Sequence, residues 1–257
     1  MKEVCKEVKT MKVLKKFTRL IENNIKTPMR LRKINASNPR GVEVIKKVRQ
    51  DKLTYLNESA LTDLFLATQK ASANNQEGII IEAGCALGGS ALVIASGKNR
   101  GQEFLIYDTF EMIPPPSTDD GEDSQNRWEE ISSGNSKGLF GDTYYGYLDN
   151  LKEKVEDNFT KYGFPVQDNN IKLIKGLFED TMAINKPVAM AHLDCDWYES
   201  VMTCLKEIEP NLVQGGILVI DDYEDWSGCK KAVDEYFADK KDQYEFKQVS
   251  RLHIIKK

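Results

Sequence analysis

One stretch near the middle of the N-terminal half, residues 78–96, limits the choice of fold more than any other. It reads GIIIEAGCALGGSALVIAS. Residues 79–81 form an apolar β-branched run, which is typical of a strand buried on both faces. Gly84 and Gly88 let the backbone of the following turn approach a ligand closely, and the helix after them offers free N–H groups at its positive end. This strand, turn and helix predict a cofactor loop in an α/β domain.

Two interpretations of this turn remain open. The first is a nucleotide-cofactor loop, although the turn departs from the dinucleotide fingerprint GxGxxG, because Ala86 stands where a second closely spaced glycine would be. The alternative is an ordinary connection between a strand and a helix, which carries no function by itself. Glu82, at the tip of the strand, suits a hydroxyl or ammonium group of a ligand.

Composition places the chain among soluble globular proteins. It has 257 residues, of which 40% are hydrophobic and 30% are charged, enough for one large domain or a core domain with an extra segment. No apolar run approaches the ~20 residues that span a bilayer, and the N-terminus lacks a signal-peptide pattern. The five cysteines are scattered and form no CxxC pair. We therefore expect reduced thiols, no zinc site, no membrane contact and a cytoplasmic location.

Charge is distributed unevenly along the chain. Residues 1–52 carry 16 Lys and Arg against 5 Asp and Glu, whereas the remainder carries 20 against 35. Such a basic segment can bind nucleic acid. It lacks interleaved aromatic residues, and its apolar residues recur at helical spacing from Val4 to Ile21. We favour an amphipathic helix over residues 2–24, within a basic N-terminal helical segment at residues 1–53, and consider nucleic-acid binding unlikely.

The remaining pattern alternates strands with helices. We expect the first helix to end before Pro28, a loop at residues 35–41, and helices at residues 42–49 and 56–73, the last capped by Asn57. After the first strand, further strands are predicted at residues 104–107, 171–174, 188–193, 217–220, 244–249 and 252–255. This pattern predicts an α/β fold with a doubly wound, mostly parallel seven-stranded sheet, an antiparallel C-terminal edge and N-terminal helices, the main domain covering residues 54–257.

Residues 110–140 interrupt this alternation. The segment contains three consecutive prolines, an acidic STDDGED stretch and no clear periodicity. An irregular segment of this length in a compact domain is usually a binding loop, a lid or disorder. We call residues 110–140 the lid segment and expect it to be mobile without substrate.

Acidic residues follow several predicted strands. In open α/β sheets, ligands bind at the carboxyl ends of the strands, where these side chains meet. The set comprises Glu82, Asp108, Glu179, Asp194, Asp221 and Asp222. Asp108 lies about 25 residues past the first turn, near the spacing at which nucleotide folds hold a ribose diol. The alternative for Asp108 is a helix cap or an exposed strand end.

The positions of three of these acidic residues predict a metal site. Asp194 ends one strand, and Asp221 and Asp222 end the next. If the two strands are neighbours, the carboxylates converge and repel one another, and a hard cation such as Mg²⁺, Mn²⁺ or Ca²⁺ relieves that repulsion. The alternative is that they cap helices or accept backbone hydrogen bonds. His192 is interpreted as a packed core histidine.

Five blocks, GIIIEAGCALGGSA, YDTF, GLFEDT, AHLDCDWYES and GGILVIDDY, resemble the macrocin O-methyltransferase (TylF-like) family in order and spacing. The resemblance covers about residues 54–255. It implies a Rossmann-like class I methyltransferase that depends on a metal, uses S-adenosylmethionine and acts on a sugar hydroxyl or another small-molecule hydroxyl of natural products.

The resemblance also implies site residues. The cofactor residues are Glu82, Gly84, Gly88 and Ser90 for methionine and ribose, Asp108 for the ribose hydroxyls, and Phe178 and Glu179 for adenine. The Mg²⁺ ligands are Asp194, Asp221 and Asp222. Related catechol methyltransferases have a lysine base three residues after the first metal aspartate. Here that position is Trp197, so Asp194 and Asp196 are the candidates for the catalytic base.

Two other classes of function compete with this interpretation. One is an NAD(P)-dependent oxidoreductase on the same architecture, which predicts a second close glycine and a Tyr-Lys or His acid–base pair. The other is a non-catalytic nucleotide-binding or RNA-binding module that uses the basic segment, and it gives no reason for the acids at strand ends. The acceptor is not determined by the sequence, and a homo-oligomer is possible.

Overall fold

A single seven-stranded sheet forms the centre of the molecule in the computed structural model, which describes residues 22–75 and 77–257. The strands are β1 (Ile79–Ala83), β2 (Phe104–Asp108), β3 (Ile171–Lys175), β4 (Val188–Leu193), β5 (Leu212–Ile220), β6 (Tyr244–Gln248) and β7 (Leu252–Lys256). Their order is β3-β2-β1-β4-β5-β7-β6. The first five are parallel, whereas β7 runs antiparallel to both β5 and β6. The predicted mostly parallel sheet with an antiparallel edge is confirmed.

Nine α-helices flank this sheet within the described residues. They are α1 (Thr27–Ser37), α2 (Pro39–Gln50), α3 (Glu58–Asn74), α4 (Gly89–Gly97), α5 (Glu122–Ser132), α6 (Leu151–Lys161), α7 (Phe178–Thr181), α8 (Tyr198–Ile208) and α9 (Ser227–Tyr236). Asn57 caps α3 as predicted, since its side-chain oxygen accepts the N–H of Ala60 at 2.9 Å. In the described part of the chain, no helix is long and apolar enough to cross a membrane.

The sheet separates two hydrophobic cores. Successive residues of a strand point to opposite faces, so Ile80 belongs to one core and Ile81 to the other. On the first face the sheet packs against α1 to α4 and α6, and on the second against α8 and α9. Both faces of the central strands are therefore covered, which explains the continuous apolar run of β1.

The N-terminal region differs from expectation. Most of the predicted helix over residues 2–24 lies outside the described residues. Pro28 does not interrupt the helical path, because a π-helical turn at Glu22–Lys26 leads directly into α1 and Pro28 lies in the first turn of α1. The loop predicted at residues 35–41 is wrong: Asn38 alone separates α1 from α2, and its side chain caps α2 by accepting the N–H of Gly41. Ile34 and Ile45 belong to the first core, so the packing is continuous across the predicted boundary at residue 53.

The lid segment is more regular than predicted. It contains α5, whose Ile131 is buried, so the expectation of a structureless segment is wrong for Glu122–Ser132. A short polar helix shows a weak hydrophobic periodicity in the sequence, because only one side of its two or three turns packs against the rest of the protein. After the lid segment, a short 3₁₀ turn at Tyr145–Tyr147 precedes α6.

Candidate active site

The turn after β1 packs closely against the neighbouring strand end. Gly84 has a φ of 84°, and a Cβ atom at this position would lie 1.9 Å from the carbonyl oxygen of Asp194. A side chain is therefore excluded both by backbone conformation and by space. Gly88 also has a φ of 84° at the start of α4. The glycine pattern thus places the turn directly against the residues that follow β4.

Asp108 fixes the shape of this turn. One carboxylate oxygen accepts the N–H groups of Cys85 at 2.7 Å and Ala86 at 3.1 Å, and the other accepts the N–H of Phe110 at 2.7 Å. Burial raises the pKa of Asp108, and these backbone N–H groups oppose that rise. The residue predicted to bind ribose therefore also holds the turn after β1 in place.

Beside the turn lies a cleft with two compartments. The larger has a volume of about 380 Å³ and the smaller about 60 Å³. They share part of their walls, formed by Gly84, Asp108, Ile113, Tyr145, Asp194 and Asp196. The carboxyl ends of β1, β2 and β4 therefore open into one continuous site, as the topology of parallel sheets predicts.

Five of the seven predicted cofactor residues line this cleft. They are Gly84, Ser90 and Asp108 in the larger compartment and, in the smaller, Phe178 and Glu179 together with Gly84 and Asp108. Glu82 and Gly88 are not part of its walls. The side chain of Glu82 is fully buried in the sheet, where its Oε1 lies 2.9 Å from Nδ1 of His192. The roles of these residues toward a cofactor stay predictions.

The predicted convergence of acids is present. Because β4 and β5 are adjacent and parallel, Asp194, Asp221 and Asp222 follow strand ends that lie side by side, and with Asp196 they line the larger compartment. Burial raises the pKa of Asp194 and of Asp222, and the neighbouring carboxylates raise both further. Burial also raises the pKa of Asp196 to about 6, although the nearby Trp226 opposes this shift.

The grouping within this cluster differs from the predicted metal triad. In the described residues, ligand atoms of His192, Asp194 and Asp221 lie within 4.8 Å of one another. Asp222 lies beside Asp196, whose N–H donates to Oδ2 of Asp222 at 3.3 Å. Asp196 has a φ of 56°, a region that residues other than glycine rarely adopt and that is often found at functional sites.

Asp221 differs electrostatically from its neighbours. Its burial raises the pKa, but the contacts with His192 and Arg251 outweigh burial, and the pKa of Asp221 is lowered. The Nε group of Arg251 donates to Oδ1 of Asp221 at 2.8 Å. Burial lowers the pKa of His192, but the nearby carboxylates of Asp221 and Glu82 outweigh it and raise this pKa to about 10. His192 is indeed packed in the core, as predicted, and it also bridges two acidic residues.

Sequence reasoning missed several residues of the larger compartment. Its remaining wall includes a group of aromatic and basic side chains: Tyr55, Arg127, Tyr144, Trp226 and Arg251. The two tyrosine rings Tyr144 and Tyr145 pack with centroids 4.4 Å apart, and the Arg127 guanidinium lies 5.7 Å from the Tyr144 ring centroid. These side chains come from loops and from α5, which carry no pattern that predicts a shared cavity.

A family model described as macrocin-O-methyltransferase (TylF) matches residues 5–254. The chain belongs to this family. The match includes most of the basic N-terminal segment, beyond the region from residue 54 that carries the five sequence blocks. The enzyme is an O-methyltransferase, as its curated relatives also are.

Two relatives illustrate the degree of similarity. The 8-demethyl-8-(2,3-dimethoxy-alpha-L-rhamnosyl)-tetracenomycin-C 4'-O-methyltransferase of Streptomyces olivaceus is 29% identical over 190 residues, covering 71% of this chain and 67% of the relative. The demethyldecarbamoylnovobiocin O-methyltransferase of Streptomyces niveus is 28% identical over 193 residues, covering 72% and 68%.

Solved structures establish the fold class. The O-methyltransferase NovP superposes with a TM-score of 0.65 at 23% identity, covering 80% of this chain and 81% of that one. An O-methyltransferase from Bacillus cereus, solved in complex with SAH, gives a TM-score of 0.53 at 10% identity over 88% and 96% of the two chains. The enzyme thus has the predicted class I methyltransferase fold, which implies S-adenosylmethionine as its cofactor.

Proposed function

We propose that the enzyme transfers a methyl group from S-adenosylmethionine to a hydroxyl of a small molecule, a sugar or a natural product, with Mg²⁺ or a similar divalent cation bound in the site. The observation that supports this proposal is the two-compartment cleft, in which the cofactor turn adjoins four carboxylates. The names of the relatives from Streptomyces, which refer to a rhamnosyl tetracenomycin and to demethyldecarbamoylnovobiocin, support the class of acceptor.

In this proposal the cofactor occupies both compartments, and different residues of the chain bind its different parts. Phe178 and Glu179 line the smaller one, where an aromatic face and a carboxylate suit an adenine ring and its amino group. Asp108 lies in the walls of both, which is the place for the ribose. Ser90, in the first turn of α4, is placed for the methionine carboxylate at the positive end of that helix.

The acids fit a hard divalent cation. Asp194 and Asp222 carry raised pKa values because they are buried and because the neighbouring carboxylates repel them, and Asp221 alone has a close basic partner in Arg251. An ion held by Asp194, Asp221 and Asp222 would relieve this repulsion, and oxygen ligands favour Mg²⁺ or Mn²⁺. When bound, such a cation lowers the pKa of an acceptor hydroxyl and orients it.

Asp196 is the proposed general base. Its carboxylate lies in the larger compartment, next to the predicted ligands but outside their set. In the reaction the bond from methyl carbon to sulfur breaks, the bond from that carbon to the acceptor oxygen forms, and Asp196 takes the hydroxyl proton. Trp197 occupies the position of the lysine base of related enzymes, so the base comes from Asp194 or Asp196, and Asp196 is the one outside the proposed ligand set.

Titration calorimetry and a methyl-transfer assay test this proposal together. We expect S-adenosylhomocysteine to bind the purified enzyme, whereas NAD and RNA do not. Labelled methyl groups from S-adenosylmethionine should appear in members of a panel of glycosides and glycosylated aromatic compounds. EDTA should abolish transfer, and added Mg²⁺ should restore it. Binding of NAD instead would support the oxidoreductase alternative, and full activity in EDTA would remove the metal from the proposal.

A further inference from the structure

A chain of buried polar contacts crosses the sheet from the cofactor strand to the acidic cluster. Glu82 is on β1, His192 is on β4 directly across from it, and Asp221 follows β5 on the other side. Oε1 of Glu82 lies 2.9 Å from Nδ1 of His192, and Nε2 of His192 lies 3.6 Å from Oδ1 of Asp221. The imidazole therefore stands between two carboxylates that belong to different strands.

The sheet geometry makes this arrangement specific. Residues two apart on a strand point to the same face, so His192 points the same way as Met190, and Glu82 the same way as Ile80, into the first core. Glu82 and His192 are both completely buried among apolar residues. Burying a carboxylate and an imidazole in such surroundings is costly unless they pair with each other. Aliphatic residues at both positions would avoid that cost, so the pair suggests a role beyond packing.

Only one oxygen of Asp221 is engaged by these contacts. Oδ1 meets both Nε2 of His192 and Nε of Arg251, which approach from β4 and from the start of β7. Among the described residues, no hydrogen bond reaches Oδ2. The Arg251 hydrogen bond orients the carboxylate, Nε2 of His192 faces the same oxygen at 3.6 Å, and the other oxygen is left for a ligand in the cleft.

We infer that Glu82 and His192 are positioning residues that hold the Asp221 carboxylate in the orientation needed to bind the divalent cation. This inference rests on the proposed function, specifically on its metal site. It places Glu82 behind Asp221 rather than against the cofactor, because the side chain is fully buried, is not part of the cleft wall and lies 2.9 Å from His192. Ser90, which does line the cleft, also contacts Glu82, so the calorimetry of Glu82→Gln separates the two roles. Groups that orient metal ligands from behind commonly change metal affinity ~10–100-fold when they are removed.

Metal binding without catalysis gives the most direct test. Mn²⁺ affinity is measured by electron paramagnetic resonance, and S-adenosylhomocysteine affinity is measured by calorimetry in EDTA. The variants are Glu82→Gln, which keeps the shape but removes the charge, His192→Gln, which keeps one donor, and His192→Leu, which keeps none. His253→Gln is the matched control, since His253 is a mostly buried histidine on β7 with no hydrogen bond to Asp221.

We expect Mn²⁺ affinity to fall about tenfold in Glu82→Gln and His192→Gln and further in His192→Leu. Affinity for S-adenosylhomocysteine should be unchanged in all of them, and so should both affinities in the control. If His192→Leu fails to fold, as judged by its near-ultraviolet circular dichroism, the two glutamine variants decide the question.

Three results would overturn the inference. Unchanged Mn²⁺ affinity in both glutamine variants would leave the pair as packing only. Weaker S-adenosylhomocysteine binding with normal Mn²⁺ binding in Glu82→Gln would return Glu82 to the cofactor site. Nitrogen hyperfine coupling on the bound Mn²⁺ would make His192 a direct ligand. If the parent enzyme binds S-adenosylhomocysteine but no Mn²⁺, the metal part of the proposed function fails as well, so the two failures are distinguishable.

Discussion

At the scale of single residues, the acids of the cleft have different environments despite their proximity. Asp221 is fixed by Arg251 and His192, so its charge is compensated. Neither Arg251 nor His192 contacts Asp196, and the left-handed backbone conformation of Asp196 turns the residue away from the strand direction. A carboxylate that is close to a metal site but not needed as a ligand is free to take a proton.

The Asp196→Asn variant tests this assignment. The substitution keeps the size of the side chain but removes its basicity, so we expect kcat to fall by a factor of about 10²–10⁴, the usual contribution of a general base. Binding of S-adenosylhomocysteine and of Mn²⁺ should persist, since neither requires Asp196. Transfer to an acceptor found in the panel is the measurement.

Asp239→Asn provides the control for this variant, because it makes the same chemical change at an exposed site. Near-normal kcat in Asp196→Asn would assign the base to another group. Loss of Mn²⁺ binding in this variant would instead make Asp196 a ligand.

Much of the site was predictable at this scale, and the exceptions have physical causes. Acids at the ends of consecutive strands could be located because parallel topology brings strand ends together. The partner of Glu82 could not, because a contact between β1 and β4 joins residues 110 positions apart. Arg251 was also missed as a site residue. Since β7 is antiparallel to β5, Leu252 pairs with Ile220, and this pairing places Arg251 beside Asp221.

At the scale of elements, the lid segment is attached to the second helical layer. The carboxylate of Asp123 accepts the backbone N–H and the hydroxyl of Ser227 at the start of α9, at 2.8 and 2.6 Å. Asp120 accepts the N–H of Tyr198 at the start of α8 at 2.8 Å. Acidic side chains at helix N-termini interact favourably with the helix dipole. The acidic stretch that suggested a mobile loop is therefore also what anchors it.

We expect Asp123→Ala to loosen this attachment. The loss of two partly solvated hydrogen bonds costs about 1 kcal/mol, which corresponds to roughly fivefold faster exchange in segments that open locally. Hydrogen exchange measured by mass spectrometry should show this change in residues 114–136 and leave the central strands unaffected. The control is Glu129→Ala, an exposed residue on the same helix.

The mobility of the lid segment without acceptor stays a prediction, and the same experiment addresses it. Exchange in residues 114–136 should be fast in the acceptor-free enzyme and slower once an acceptor is bound. Exchange as slow as that of the strands in the free enzyme would contradict a mobile lid. Identical exchange in Asp123→Ala and in the parent would show that other contacts hold α5.

At the scale of the whole molecule, the strand pattern was sufficient to predict the sheet but not its complete order. Apolar runs located the central strands, since these are covered on both faces, whereas the edge strand β6 is mostly exposed and has no such run. The insertion of β7 between β5 and β6 depends on tertiary strand pairing, which no local sequence pattern predicts. The same insertion places His253 of β7 opposite Val219 of β5, one strand in from the edge of the sheet.

His253 makes the stability of the fold sensitive to acid. Burial lowers its pKa from 6.5 to about 4 in the folded chain. Between these two values the unfolded chain binds a proton that the folded chain excludes, so stability falls as the pH drops from 6.5 toward 4. At pH 5 the loss attributable to this group is about 2 kcal/mol. Urea unfolding at pH 7.5 and pH 5 measures it, and His253→Gln should lose correspondingly less stability over the same interval. An equal loss in the variant and the parent would show that other groups cause the acid sensitivity.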